Sequence, residues 1–94
     1  SSGEIRLLIL DDDPATCAVI QAALANRDFQ IDTVSDPTLI ESVLSRKNHY
    51  HLIVMDYVIP GLEPDQVFGW IRDNQVDANI VVVTGYPSVD SALN

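Results

Sequence analysis

The hydrophobic residues of this chain change period along its length. Positions 5–10, "IRLLIL", are almost continuously apolar, as expected of a strand covered on both faces. Pro14 and the alanine-rich "ATCAVIQAALA" follow, spaced for a helix with proline in its first turn. Phe29, Ile31 and Val34 form a shorter, partly alternating strand. "SDPTLIESVLSRK" restarts a helix, with Ser35 or Asp36 as cap and Pro37 near its first position. "HLIVMD" is a second buried strand, followed by the loop "YVIPGLEP". A helix is expected over 65–74, turning Val67, Phe68 and Ile71 inward. "NIVVVTG" reads as a further buried strand ending on Thr84, and "SVDSAL" as the start of a fourth helix. Strands alternating with helices through short connections predict an α/β fold: a doubly wound parallel sheet with helices on both faces. Residues 4–94 are expected to form one domain, with the opening Ser1, Ser2 and Gly3 left out of the fold reading.

Composition narrows the partners. Fourteen acids against five bases give a net charge of −9, which repels nucleic acid phosphates and suits a metal ion or a basic partner. No apolar stretch approaches the roughly 18 residues of a membrane span. The single Cys17 has no partner for an internal disulfide, so a reducing, cytoplasmic setting is expected. Its helical spacing with Ile20 and Leu24 points to packing.

The acids fall at strand ends. In an open parallel sheet, ligands bind beyond the carboxyl ends of the strands. Here those ends carry Asp11 and Asp12, Asp56, and Thr84. Neighbouring strands lie about 4.8 Å apart, so carboxylates at adjacent ends converge. Two like charges about 4 Å apart repel by roughly 4 kcal/mol at an effective dielectric of 20. Hard oxygens with room for water suit Mg²⁺, which would offset that repulsion. Arg6, Arg27, Arg46, Lys47 and Arg72 belong at the opposite edge of the sheet, so none competes for these carboxylates.

"LILDDDP", "LIVMDYVIPG" and "IVVVTGYPSVDSAL", in this order and spacing, resemble the receiver domain of two-component response regulators. The resemblance implies a flavodoxin-like sheet in the order 2-1-3-4, with the fifth strand and last helix absent because the sequence stops at Asn94. It also implies that Asp56 is the phosphoacceptor, that Asp11 and Asp12 hold Mg²⁺ with Asp56, and that Val58 adds a backbone carbonyl to the metal. Thr84 matches the hydroxyl that contacts the phosphoryl group and acts as a switch; Pro60 and Gly85 match further family positions. The implied donor is a histidine kinase or a small phosphodonor. The family's lysine and aromatic switch residue belong to the missing fifth strand, and Lys47 sits at the wrong edge to replace the former. Pro64 stands where receivers often carry glycine, implying a local change at the start of the third helix. "TGYPSVDSAL" is similar to receivers attached to transcription activators.

Three functions compete. The first is a phosphoacceptor in a phosphorelay, with self-phosphorylation but no turnover. The second is a non-switching interaction or dimerisation module working through an exposed fourth strand and helix; a homodimer or strand-exchanged partner is expected, because an uncharged apolar edge invites pairing. The third, a Mg²⁺-dependent phosphatase, lacks the second acid such enzymes carry soon after the nucleophile, since Tyr57 and Val58 follow Asp56. Elsewhere, His49 and His51 read as solvated loop residues, Trp70 as packing, and Tyr86 as equally suited to a partner contact or plain exposure.

Overall fold

The computed structural model describes residues 4–25, 27–46, 49–75 and 77–83. Strand β1 (Ile5–Leu10) is followed by α1 (Pro14–Ala23) and β2 (Phe29–Val34). A 3₁₀ turn (Pro37–Leu39) then leads into α2 (Ile40–Leu44), followed by β3 (Leu52–Asp56), α3 (Pro64–Asn74) and β4 (Asn79–Val83), the last element among the described residues. All pairings are parallel, in the order β2-β1-β3-β4. This is the doubly wound parallel sheet expected from the alternation of elements, in the strand order that the resemblance to receiver domains implies.

Because side chains alternate across a strand, the central strands feed two cores. Leu8 and Leu10 of β1 and Ile53 and Met55 of β3 pack with Ile40, Val43 and Leu44 of α2 and Val67 and Ile71 of α3. Leu7, Ile9 and Val54 face the other way, onto Cys17, Ile20 and Leu24 on the α1 side. Residues 7 to 10 are all 0% exposed, the reason β1 reads as an unbroken apolar run. Burying one leucine side chain is worth about 1.5–3 kcal/mol, so β1 anchors the sheet.

Two elements differ in detail from expectation. The second helix is not continuous: its first turn is 3₁₀, with Asp36 accepting from the Thr38 N–H, and the α-helical part spans only Ile40–Leu44. The third helix begins at Pro64, one residue early, because proline has no N–H to lose at a first helical position. The "NIVVV" strand, apolar on both faces, is the edge of the described sheet, as expected for the fourth strand, with Ile80 38%, Val81 44% and Val82 41% exposed. The expected fourth helix, with Gly85 and Tyr86, lies outside the described residues, as does Lys47.

Long-range polar contacts pin the end of the sheet away from the strand carboxyl ends. Gln75, 1% exposed, accepts the Tyr50 N–H on Oε1 at 2.9 Å and donates from Nε2 to the Leu44 carbonyl at 2.9 Å. It thereby ties the C-terminal ends of α2 and α3 to the start of β3. The Tyr50 hydroxyl donates to Asp32 at 2.8 Å, and the Arg6 guanidinium lies 5.6 Å from the ring centre. Burial, then the bond to Asp32, pushes the Tyr50 phenol up to about 12, so it stays a donor at any physiological pH. His51, exposed as expected, also accepts the Arg6 N–H on Nδ1 at 3.0 Å. Trp70 and Phe68 are half-buried against the larger core, as packing residues.

Candidate functional site

Register decides which residues meet at the carboxyl ends of the strands. Leu10 of β1 pairs with Met55 of β3, and Asp56 with Val83 of β4. Asp11 therefore leaves β1 beside the last residue of β3. Its N–H donates to the Val34 carbonyl at 3.2 Å, extending the ladder toward β2. Asp11, Asp12 and Asp56 each offer a carboxylate oxygen, and these oxygens lie within 4.8 Å of one another. The structure thus brings together the three predicted carboxylates. Val58 follows on an exposed loop, its N–H donating to Asp56 Oδ1 at 3.2 Å. Thr84 lies outside the described residues, although Val83 before it accepts the Tyr57 N–H at 2.9 Å.

The three acids sit in different surroundings. Asp11 is 4% exposed, Asp12 and Asp56 half-buried. Burial, more than any other influence, raises the Asp11 carboxyl above its usual range; the Asp13 N–H pulls it down, and the charges of Asp56, Asp12 and Asp13 push it up again. A desolvated carboxylate facing two others demands a counter-charge. An all-carboxylate donor set of this spacing fits a hard divalent cation such as Mg²⁺. Two of the described bases are engaged elsewhere: Arg6 lies over Tyr50, and Arg72 pairs with its neighbour Asp73 at 3.3 Å, the Arg72 and Asp73 side chains both largely exposed.

Asp13, next to the predicted pair Asp11 and Asp12, has a separate role. The Asp13 carboxylate is turned to α1, accepting the Ala15 N–H at 2.9 Å and the Thr16 hydroxyl at 3.1 Å. It is the helix cap, a role signalled by aspartate directly before proline at the start of a helix. Cys17 lies beneath, its thiol donating to the Asp11 carbonyl at 3.5 Å. Burial first, then the charges of Asp11 and Asp13, push that thiol up, leaving it a protonated packing residue. Beyond Asp56, Pro60 and Gly61 form the tight turn that closes the loop. Leu62 N–H donates to the Ile59 carbonyl at 3.1 Å and Gly61 has a φ of 83°, as a type II turn requires of its third residue.

Residues 7–94 match the response regulator receiver domain. The chain belongs to that family. It is 25% identical over 89 residues to the transcriptional regulatory protein TcrA of Mycobacterium tuberculosis, covering 95% of this chain and 35% of that protein. It is 28% identical over 80 residues to the regulatory protein VanRB of Enterococcus faecalis, covering 85% of this chain and 36% of that one. The chain thus spans about a third of the length of these relatives. Among solved structures it is similar to the response regulator TrrA of Thermotoga maritima in complex with Mg²⁺–BeF, at 30% identity and a TM-score of 0.71, over 95% of this chain and 76% of that one. TrrA has also been solved with the histidine kinase ThkA. Among the described residues, no helix is long and apolar enough to cross a membrane.

Proposed function

We propose that this chain is the phosphoacceptor module of a two-component phosphorelay, taking a phosphoryl group on Asp56 from a histidine kinase or a small phosphodonor. The observation that carries this reading is the convergence of the Asp11, Asp12 and Asp56 oxygens within 4.8 Å at adjacent strand ends. The relatives add support: TrrA has been solved with Mg²⁺–BeF and with a kinase. In this reading Asp11, Asp12, Asp56 and the Val58 carbonyl hold Mg²⁺, and Thr84 contacts the phosphoryl group and serves as the switch. When bound, the cation neutralises the negative charge that gathers as a phosphoryl group approaches three carboxylates. Val58 fixes one Asp56 oxygen through its N–H, and the other oxygen attacks phosphorus. A new O–P bond forms as the donor's bond to phosphorus breaks, and the electron pair leaves with the donor, giving an acyl phosphate.

The test is incubation with Mg²⁺ and acetyl phosphate, followed by intact-mass spectrometry. One base-labile phosphate per chain is expected, absent from Asp56→Asn and absent when EDTA replaces Mg²⁺. An adduct that survives Asp56→Asn would overturn the assignment, and sustained phosphate release would favour a phosphatase.

A second reading has its own support. Among the described residues, β4 is a sheet edge with exposed apolar side chains, of the kind that recruits another strand, and for the 94-residue chain this favours a homodimer through that edge. Light scattering across a concentration series should then show a dimer that Val81→Lys converts to monomer. A wild-type monomer at every concentration rejects this reading.

A further inference from the structure

We propose that Asp13 is a positioning residue: by capping α1 it holds its own N–H on Asp11, and so sets where the Asp11 carboxylate meets the metal. This rests on the metal reading above. The geometry is a closed relay. The Asp13 N–H donates to Asp11 Oδ1 at 2.9 Å, which commits one oxygen of that carboxylate to the protein and points the group. The Asp13 carboxylate is itself held on both oxygens, by the Ala15 N–H and the Thr16 hydroxyl. Its carbonyl accepts the Cys17 N–H at 3.1 Å, and the Cys17 thiol returns to the Asp11 carbonyl at 3.5 Å. The first turn of α1 and the acidic pocket are therefore one hydrogen-bonded unit. Asp13 adds negative charge near the pocket, but its oxygens are spent on the helix. The role assigned to it is geometric, and an uncharged side chain with the same acceptor should perform it.

That distinction is measurable. Asparagine keeps the capping oxygen without the charge, and alanine removes both. Mg²⁺ affinity should be measured by amide chemical-shift titration of the 94-residue chain at 1 M KCl, where the Debye length is about 3 Å and remote charge counts for little. Asp13→Ala should weaken Mg²⁺ about tenfold, the scale on which groups that orient a ligand act. Asp13→Asn should stay within about twofold of wild type. Asp36→Ala is the control for helix capping in general, because Asp36 accepts the Thr38 N–H and hydroxyl at 3.0 and 2.7 Å in the same kind of turn without a hydrogen bond to Asp11, Asp12 or Asp56. It should leave Mg²⁺ affinity unchanged. In metal-free protein, amide exchange at position 13 should accelerate in Asp13→Ala and not in Asp13→Asn. If Asp13→Ala does not fold, Thr16→Val, which removes half of the cap, carries the same tests with smaller expected changes. Wild-type affinity in Asp13→Ala, or equal weakening in Asp13→Asn and Asp13→Ala, would overturn the proposal while leaving the metal site intact. A wild-type chain with no Mg²⁺ response would overturn the metal reading and this one with it.

Discussion

In Mg²⁺-free buffer at pH 7, Asp11→Asn should unfold at a higher temperature than the wild-type chain, and at saturating Mg²⁺ the order should reverse. The first half follows from crowding. The Asp11, Asp12 and Asp56 oxygens lie within 4.8 Å of one another and Asp11 is 4% exposed. Even at the dielectric of water, each like-charge pair at such a distance costs about 1 kcal/mol. Asparagine relieves both pairs made by Asp11 and still accepts the Asp13 N–H, so a gain of about 1–2 kcal/mol is expected, roughly 5–10 °C for a domain of this size. The second half follows from mass action: a ligand at a hundred times its Kd stabilises by about 2.7 kcal/mol, an increment the variant largely forgoes.

The pH dependence has a definite sign. The Asp11 carboxyl is raised above its ordinary value by burial and by its acidic neighbours. The folded chain therefore holds that proton more tightly than the unfolded chain, and stability from this group is fully present below the ordinary value of 3.8. It is lost as pH rises through the higher folded value. Melting curves in EDTA from pH 3 to 8 should show the advantage of Asp11→Asn growing as pH rises through that window. A variant less stable than wild type in EDTA at neutral pH would show that the crowding carries no cost in the metal-free chain.

What the sequence revealed, and what it hid, divides along the range of the forces involved. β1 and β3 were legible because burial on both faces leaves an apolar run, and the parallel doubly wound sheet followed from the alternation of elements, while the strand order came from the resemblance of the strand-end motifs to receiver domains. The acidic trio was legible because strand ends in such a sheet have a fixed meaning, so Asp11, Asp12 and Asp56 needed no knowledge of side-chain detail. Gln75 was not legible. Its partners Tyr50 and Leu44 are 25 and 31 residues away, and no local pattern marks a glutamine that will be buried between two helix ends. The bond between Tyr50 and Asp32 is hidden for the same reason. Asp13 is different, since its cap was readable from "DDDP" but was masked by the stronger signal of the acids beside it. The 3₁₀ start of the second helix arises where Asp36 and Pro37 tighten a turn that the apolar spacing alone would leave α-helical.

Leu10→Ala should cost more stability than any surface change, and it tests the scaffold that delivers the acids. Leu10 is 0% exposed and shares the larger core with Val34, Ile40, Met55, Ile59 and Val67. Those residues come from β2, α2, β3, the loop after β3, and α3, so no single element can move in to fill the space. Truncating a leucine in such a place removes its transfer free energy and leaves a cavity, about 2–5 kcal/mol together. A chain of this length has about 5–14 kcal/mol of stability to lose. The urea midpoint should fall by about 1–3 M with little change in slope, since the surface exposed on unfolding is nearly the same. Val19→Ala, at a position 68% exposed on α1, should shift stability by less than about 0.5 kcal/mol. The site is expected to respond as well, because Leu10 is the last residue of β1 and the Asp11 N–H that follows is bonded to Val34, a neighbour of Leu10 in the same core. A Leu10→Ala chain as stable as Val19→Ala would mean that β1 is not the anchor of the sheet, and the placement of Asp11 would then need another support.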